Sequence, residues 1–169
     1  MTYLSELQKK KPLWVELGLQ TVKPESIEYI RRGYDTQVYD DAISKLNAEG
    51  IHTITHVILG LPGENRQDML STVNHVCESG SKGIKLQLLH VLDGTDLADE
   101  YKTGKFKTLE MDEYIDILID CLKILPPEMV VHRITGDGPK KILIAPLWSA
   151  NKKSVLNTIN ARLRSEGLI

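Results

Sequence analysis

The sequence is poor in cysteine, with only Cys77 and Cys121 among its 169 residues. Both lie within predicted helices, at positions that suit a small buried hydrophobic side chain. Two such thiols exclude a disulfide framework and a cysteine-rich metal site within this sequence. We interpret them as reduced structural thiols, and we expect a cytoplasmic protein.

Long apolar runs and a strong charge of either sign are also lacking. No apolar run approaches the roughly 20 residues that span a membrane, and the first residues do not resemble a signal peptide. The net charge of −2 gives no general attraction to polyanions. A chain of 169 residues can bury one substantial core, so a single domain is expected.

What the sequence does contain is an alternation of strand and helix patterns. It predicts helices at 2–10, 24–32, 36–48, 66–79, 96–102, 110–124 and 152–165, strands at 13–19, 53–59, 83–91 and 129–134, and a loop or short strand at 142–148. Such alternation is typical of parallel strands joined by right-handed helical crossovers. Four strands cannot close an eight-stranded barrel. The alternation of strands and helices therefore predicts an α/β fold built of parallel β/α units.

One face of each predicted strand is polar, where an ordinary barrel interior would be apolar. The polar residues on these faces or just beyond the strand ends are Glu16, Gln20, His56, Lys85, Gln87, His90, His132 and Arg133. Any single one is more often an ordinary core or rim group. Burying all of them without a ligand would be costly. We therefore predict that they converge on a ligand site at the C-terminal ends of the strands.

The segment Thr53–Glu64 is a β-branched apolar strand that stops at a Gly-Leu-Pro-Gly turn. Gly60 and Gly63 allow positive φ or a close approach of a ligand to the backbone, and Pro62 stiffens the turn between them. Asn65 then suits the N-cap of the next helix, with Asp68 in its first turn. This is the local pattern of a β/α unit whose strand end opens onto a ligand site.

Three segments, Glu16–Thr21, Arg31–Asp35 and His56–Glu64, resemble radical S-adenosylmethionine (radical SAM) enzymes. The resemblance is to the branch that contains oxygen-independent coproporphyrinogen oxidase and the elongator-type tRNA-modifying proteins, and within it to bacterial YhcC-type iron–sulfur proteins. It extends over nearly the whole chain, including residues 83–86 and 145–148. It implies half of a partial TIM-type barrel, with β/α units at 1–125 and a C-terminal extension at 126–169 packed on the same domain.

The resemblance implies binding roles for polar residues in these segments. Gln20 matches the position whose amide reaches the ribose hydroxyls of S-adenosylmethionine, and Arg32 matches the arginine that binds the methionine carboxylate. His56 stands where the coproporphyrinogen enzymes carry an aspartate for the ribose, whereas elongator-type proteins also have histidine. Glu16 matches an inward glutamate close to the sulfonium or amino group. Ile58 and the backbone near His90 match positions that line the adenine.

The Cys-x-x-x-Cys-x-x-Cys motif that holds the family's [4Fe-4S] cluster is not in this sequence. Cys77 and Cys121 cannot replace it, because the cluster needs three thiolates. The resemblance implies a whole oxidoreductase that uses S-adenosylmethionine and a [4Fe-4S] cluster, abstracts hydrogen from its substrate, and has its metal ligands outside this sequence. We expect this chain to be its C-terminal portion and to be inactive alone, with no catalytic residue assigned.

The residues Gln87, His132 and Arg133, together with Asp137 and Lys140, are expected to contact an anionic or polar substrate, either tRNA or a small molecule. A non-catalytic nucleotide- or RNA-binding module is one alternative function, with a basic patch of Lys9, Lys10, Lys11, Lys140, Lys141, Lys152 and Lys153. A TIM-barrel lyase with Lys85 as Schiff-base nucleophile is another. The unpaired edge of the first strand also predicts homodimerisation.

Overall fold

The computed structural model describes residues 2–136 and 138–169, except for the side chain of Thr2. Asp137, one of the expected substrate contacts, lies outside the described residues. The described helices are α1 (Thr2–Lys10), α2 (Pro24–Tyr29), α3 (Thr36–Ala48), α4 (Arg66–Glu78), α5 (Asp96–Lys102), α6 (Met111–Ile124) and α7 (Lys152–Ser165). The strands are β1 (Trp14–Gln20), β2 (His52–Leu59), β3 (Gly83–Leu88), β4 (Val91–Leu92), β5 (Val130–Arg133) and β6 (Leu143–Ala145), and a 3₁₀ helix covers Leu147–Ala150.

Four strands form one parallel sheet in the order β1-β2-β3-β5. The predicted α/β fold with parallel β/α units is therefore confirmed. β1 lies at one edge of this sheet, as we expected, and β5 lies at the other. β5 pairs with β3 in the main sheet. It lies within residues 126–169, the region that we expected to form a C-terminal extension packed on the same domain.

The main hydrophobic core lies on the outer face of the sheet, under the helices. Val57, Leu59, Ile84 and Leu86 alternate along β2 and β3 and are all fully buried there. Strand residues of this kind each stabilise the fold by about 1.5–3 kcal/mol when removed from water. The opposite, inner face carries the polar residues, so packing and polar chemistry lie on opposite sides of one sheet.

Two predicted elements end earlier than their sequence patterns indicate. The strand predicted at 83–91 stops at Leu88, and Val91–Leu92 pairs antiparallel with Leu143–Ala145 in a separate two-stranded sheet. The helix predicted at 24–32 ends at Tyr29, because Arg31 takes a left-handed backbone conformation with φ of 53°. In both places tertiary contacts override a local pattern that could have continued.

The main sheet is strongly curved, with its inner face concave. The rings of Trp14 on β1 and His132 on β5 contact each other edge to face, with centroids 6.0 Å apart. These strands are separated by β2 and β3, so the two side chains meet across the inner face of the sheet. Gly83 provides the room, because a Cβ there would lie 2.7 Å from the His132 ring.

A buried network of hydroxyl groups joins α3 to β2 and to the loop before β3. The Tyr39 hydroxyl lies 2.7 Å from Oγ1 of Thr55 and 3.3 Å from Oγ of Ser79. Thr55 in turn lies 2.9 Å from Oγ of Ser81, which donates to the carbonyl of Gly83. Each of these polar groups needs its neighbour, because an unpaired buried hydroxyl is costly.

The substitution Tyr39→Phe should lower the free energy of unfolding by about 1–3 kcal/mol, because it leaves buried hydroxyls of the network short of a partner. Urea unfolding followed by circular dichroism measures the change. Tyr3→Phe is the matched control, since Tyr3 is 73% exposed and its replacement should cost less than about 0.5 kcal/mol. Equal losses in the two variants would contradict the importance of the network.

Candidate functional site

The structure brings together three of the predicted site residues at the centre of the concave inner face. The strand register places Gly18, His56 and Lys85 side by side on β1, β2 and β3, and Glu16 lies two residues earlier on the same face of β1. One Glu16 carboxylate oxygen, Oε2, is 2.6 Å from Nζ of Lys85 and 2.7 Å from Nε2 of His56. A single carboxylate therefore links three neighbouring strands.

This arrangement favours the charged form of the carboxylate. The hydrogen bond from Lys85, followed by that from His56, lowers the pKa of Glu16 below its ordinary value. The Lys85 ammonium points at a carboxylate rather than at open space, and only 15% of its side chain is exposed. A lysine held against a carboxylate in this way is not presented to a carbonyl substrate, which does not favour the lyase alternative.

Two further predicted residues, Ile58 and Gln87, lie side by side beyond this group, towards the C-terminal ends of β2 and β3. Both are partly exposed on the inner face. The structure thus gives the inner face an apolar side chain and an amide next to the charged group. A planar apolar ligand group and a hydroxylated one can both be accommodated by such a pair.

Gln20 ends β1 with a positive φ of 59°. Its amide folds back over Gly18, where a Cβ atom would lie 2.2 Å from the nearer polar atom of the Gln20 amide. One of the two orientations of the amide satisfies both its oxygen and its nitrogen. In this orientation the nitrogen donates to the carbonyls of Gly18 and Leu19 at 3.0 and 3.1 Å. Gly18 is therefore needed for the conformation of Gln20.

Arg32 is held by the backbone at the end of β1. Its Nη1 donates to the carbonyls of Leu19 and Thr21 at 2.7 and 2.8 Å, and its Nε donates to the carbonyl of Tyr34 at 2.9 Å. Nη2 donates to Thr36, and burial lowers the pKa of Arg32. These bonds use four of the five guanidinium N–H groups. The predicted contact with a methionine carboxylate remains a prediction, and it would use the fifth.

The last three predicted residues lie away from this group. His90 is covered by the segment after β5: a Cβ on Gly136 would lie 2.0 Å from its Cε1, and its Nε2 is 3.0 Å from Oγ of Ser149. His132 contacts Trp14, the first residue of β1. Arg133 lines a groove between β5 and the helices α6 and α7. Their predicted ligand contacts are untested.

A second polar contact, which the sequence analysis missed, ties the Gly-Leu-Pro-Gly turn to the end of β1. The buried hydroxyl of Thr21 donates to Oε1 of Glu64 at 2.5 Å. Lys23 donates to the carbonyl of Gly63 and to Asp68, both at 2.8 Å. The only sequence signal was the presence of a threonine and a glutamate in two segments that both follow strands. These contacts fix the turn relative to β1.

Glu64 is mostly buried, and desolvation raises the pKa of its carboxyl group. Its other oxygen, Oε2, is buried without a hydrogen-bond partner. Asp68 behaves in the opposite way, because the backbone N–H of Asn65 and the ammonium of Lys23 lower its pKa. The pKa values of Glu64, which follows the Gly-Leu-Pro-Gly turn, and of Asp68, in the first turn of α4, are therefore shifted in opposite directions.

A cavity of about 440 Å³ opens beyond the strand ends, between α2 and α5. Its walls include Ile30, Leu61 and Leu89, and two contacts cross it: the ion pair of Arg31 with Asp96 and the hydrogen bond of Tyr29 with Glu100. The volume suits a small ligand. None of the predicted site residues is among those that line this cavity.

The described residues do not provide a metal centre. Among residues 2–136 and 138–169, no group of three or more His, Cys, Asp or Glu side chains is arranged to hold a metal ion. Cys121 is buried, and burial raises the pKa of both thiols, that of Cys121 to about 12. Neither thiol thus resembles a thiolate ligand, and an iron–sulfur cluster does not fit this chain. In the same described part, no helix is long and apolar enough to cross a membrane.

The lysines of the alternative RNA patch are separated in the structure. Lys9, Lys10 and Lys11 precede β1, at the N-terminal ends of the parallel strands. Lys140 and Lys141 follow β5, beyond the C-terminal end of that strand. The groups therefore lie at opposite ends of the sheet, and the geometry does not favour one continuous basic surface.

Two family models match this chain and together cover most of it. Residues 2–76 match the radical SAM superfamily, and residues 81–165 match the radical SAM C-terminal domain. The second match alone covers half of the chain. The resemblance noted in the segments Glu16–Thr21 and His56–Glu64 is thereby confirmed.

Individual relatives agree with this assignment. The chain is 46% identical to the uncharacterized protein YtqA of Bacillus subtilis over 98% of its own length and 51% of that protein, and 32% identical to the protein YhcC of Escherichia coli over 92% of its own length and 50% of that protein. A solved structure of Methanocaldococcus infernus Elp3 with an N-terminal deletion superimposes on 99% of this chain and 39% of its own, with a TM-score of 0.81 and 20% identity. The likeness to Elp3 concerns the fold. The chain spans about half the length of the two bacterial relatives.

The variant Glu64→Gln should become more stable relative to the natural protein as the pH rises from 4 to 7. A raised carboxyl pKa in the folded state means that Glu64 favours folding when protonated and loses this contribution as the pH rises through its folded pKa. Glutamine keeps the acceptor for Thr21 but does not ionise. Urea unfolding across this pH range measures the difference.

The contrasting variant is Asp68→Asn. A lowered pKa means that Asp68 stabilises the fold above its unfolded pKa and loses this contribution as the pH falls through its folded pKa. Asp68→Asn should therefore lose stability mainly at neutral pH, opposite in sign to Glu64→Gln. The same pH trend for both variants would contradict this description of the turn.

Proposed function

Because the chain belongs to the radical SAM superfamily, we propose that it is the S-adenosylmethionine-binding portion of a radical SAM enzyme whose cluster ligands lie outside this sequence. The observation that carries the proposal is the set of polar and apolar side chains on the concave face. It combines a carboxylate, an amide, an imidazole and a partly exposed isoleucine within one shallow surface.

The functional groups of S-adenosylmethionine fit this set of side chains. The ligand has ribose hydroxyls, an amine, a carboxylate and a planar base. Glu16 is a charged acceptor suited to the amine, and Gln20 offers an amide to the hydroxyls. Ile58 offers an apolar contact to the base. Nε2 of His56 lies 2.7 Å from Oε2 of Glu16, and this contact orients the Glu16 carboxylate towards β2.

The bound cofactor, together with a reduced cluster, supplies radical chemistry in this family, and the role of the protein is to bind, orient and exclude water. In this chain Glu16 keeps its charge because Lys85 and His56 lower its pKa. Gln20 keeps its conformation because Gly18 leaves room for the amide. The contact of Thr21 with Glu64 fixes the turn that borders the site.

Arg32 supports the same site through the backbone. Its guanidinium crosslinks the carbonyls of Leu19 and Thr21, which flank Gln20 in the chain. It therefore positions Gln20, and it retains one N–H group for a ligand carboxylate. Loss of Arg32 would affect both the shape of the strand end and the charge that faces a carboxylate.

For the substrate of the whole enzyme, we propose a small anionic molecule or the phosphate backbone of tRNA. Lys85 is the cation at the centre of the concave face, and Gln87 lies two residues further along the same face. A second anion next to Glu16 would share the Lys85 ammonium. We also propose that the whole enzyme is an oxidoreductase and that it is located in the cytoplasm.

The isolated chain should bind S-adenosylmethionine weakly, and Gln20→Ala should weaken binding by roughly 2- to 10-fold, which corresponds to the loss of one hydrogen bond. Isothermal titration calorimetry with the cofactor measures this. Gln67→Ala is the matched control, because Gln67 is an exposed residue of α4. Absence of binding, or the same affinity in both variants, would overturn the proposed function.

Reconstitution of the isolated chain with iron and sulfide under anaerobic conditions should yield no stable [4Fe-4S] cluster, because only Cys77 and Cys121 are present and three thiolates are needed. Ultraviolet–visible and electron paramagnetic resonance spectra report the cluster. With reductant and S-adenosylmethionine added, no 5′-deoxyadenosine should form. Its appearance in amounts above a protein-free control would show the expectation of inactivity to be wrong.

A further inference from the structure

The charged group at the centre of the concave face uses the two oxygens of its carboxylate unequally. Nζ of Lys85 and Nε2 of His56 both approach the same oxygen of Glu16, Oε2, at 2.6 and 2.7 Å. The second oxygen, Oε1, takes part in neither contact, and 44% of the Glu16 side chain is exposed to solvent. A carboxylate can accept about four hydrogen bonds. Glu16 therefore has acceptor capacity left for a cation that enters the concave face.

The Lys85 ammonium also retains binding capacity. An ammonium has three N–H groups, and the contact with Glu16 uses one of them. Only 15% of the Lys85 side chain is exposed, whereas the surface lysine Lys105 is 64% exposed. A cation withdrawn from water in this way is costly without an anionic partner. Lys85 is therefore a charge built into the site, and any anion that binds to it must share it with Glu16.

A second donor for such an anion lies on the same face of β3. Gln87 follows Lys85 by two residues, so both side chains point to the same side of the strand, and both are partly exposed. The Gln87 amide can donate to an oxyanion, whereas its neighbour on β2, Ile58, has no polar atom. An oxyanion that contacts Lys85 can therefore also accept from Gln87, which gives it a defined direction along β3.

The order of charges on the face couples a cation at Glu16 to an anion at Lys85. Without ligands, the two side chains neutralise each other. An anion that approaches Lys85 alone is repelled by the Glu16 carboxylate, which lies 2.6 Å from the same ammonium, and a cation that approaches Glu16 alone is repelled by Lys85. When both ligands are bound, the four charges alternate in sign, and the attraction between the ligands offsets these repulsions. Each ligand therefore favours the binding of the other.

His56 keeps the carboxylate in place while Lys85 turns towards an anion. The His56 side chain is short and rigid, and its Nε2 holds Oε2 of Glu16 from β2 at 2.7 Å. Lys85 has a flexible four-carbon stem with a rotatable ammonium. Of the two partners of Glu16, Lys85 is therefore the one that can move its N–H groups to a ligand, and Glu16 retains a fixed partner when it does so.

We propose that Lys85 selects for an oxyanion, a phosphate or a carboxylate, on the substrate of this site, and that the amine of the cofactor raises the affinity for this oxyanion by binding to Glu16. The inference rests on the proposed binding of S-adenosylmethionine, which supplies the amine. By thermodynamic linkage, an oxyanion at Lys85 must raise the affinity for the cofactor by the same factor. We expect a factor of about 5, at the lower end of ordinary couplings, because Glu16 is partly exposed.

Calorimetric titration of the chain with S-adenosylmethionine, with and without inorganic phosphate, measures the coupling. At an ionic strength held constant with sodium chloride, phosphate should tighten cofactor binding about 5-fold. Lys85→Gln should abolish this difference, whereas Lys82→Gln, at an exposed lysine just before β3, should retain it. Acetate in place of phosphate distinguishes a carboxylate from a phosphate as the preferred oxyanion. Cofactor binding that neither anion changes would overturn this inference alone, whereas a chain that binds no cofactor would overturn the proposed function as well.

A second experiment tests the exchange of partners without the cofactor. Glu16→Gln removes the charge that competes for Lys85 but keeps an oxygen that can accept from its ammonium. This variant should bind inorganic phosphate about 5-fold more tightly than the natural chain in a nuclear magnetic resonance titration, and adding Lys85→Gln should cancel the gain. Glu6→Gln, at an exposed carboxylate of α1, is the matched control, and circular dichroism verifies that the variants fold. Equal phosphate affinities in Glu16→Gln and Glu6→Gln would overturn the inference.

Discussion

The parallel register of β1, β2 and β3 is the constraint on which the polar face depends. It places Gly18, His56 and Lys85 at one level, so that the Glu16 carboxylate can bond to both neighbouring strands. A shift of one residue in any of these strands would turn its polar side chains to the helix side and its apolar ones to solvent. The hydrophobic core under the helices therefore also enforces the geometry of the polar group. Packing energy on one face thus determines chemistry on the other.

Much of this could be predicted from the sequence, because it depends on periodicity. The alternation in β1 and β2 identified both the apolar face and the polar one, and the helices α3, α6 and α7 follow their patterns within one residue at each end. The convergence of Glu16, His56 and Lys85 followed from strand parity alone. These features are local, or they repeat at a fixed interval, and a single sequence contains both kinds of information.

What could not be predicted depends on curvature and on contacts between distant segments. The end of β3 at Leu88 and the covering of His90 by Gly136 arise where the C-terminal extension meets the sheet. The contact of Trp14 with His132 needs strands that are separated in the sheet to approach each other. Arg32 was singled out in the sequence for a ligand contact, but its bonds to backbone carbonyls could not be read from its neighbours in the sequence. Each of these is a property of the folded sheet rather than of a segment.

The separation of the two faces of the sheet has a consequence for how such a protein can diverge. The side chains that stabilise the fold, such as Val57 and Leu86, point towards the helices, whereas those that face a ligand, such as His56 and Lys85, point away from them. Mutations on the concave side therefore disturb few packing contacts, and the stability margin they consume is small. Selection can exchange those residues one at a time while the scaffold persists. A half-barrel of this kind is a favourable starting point for new substrate preferences.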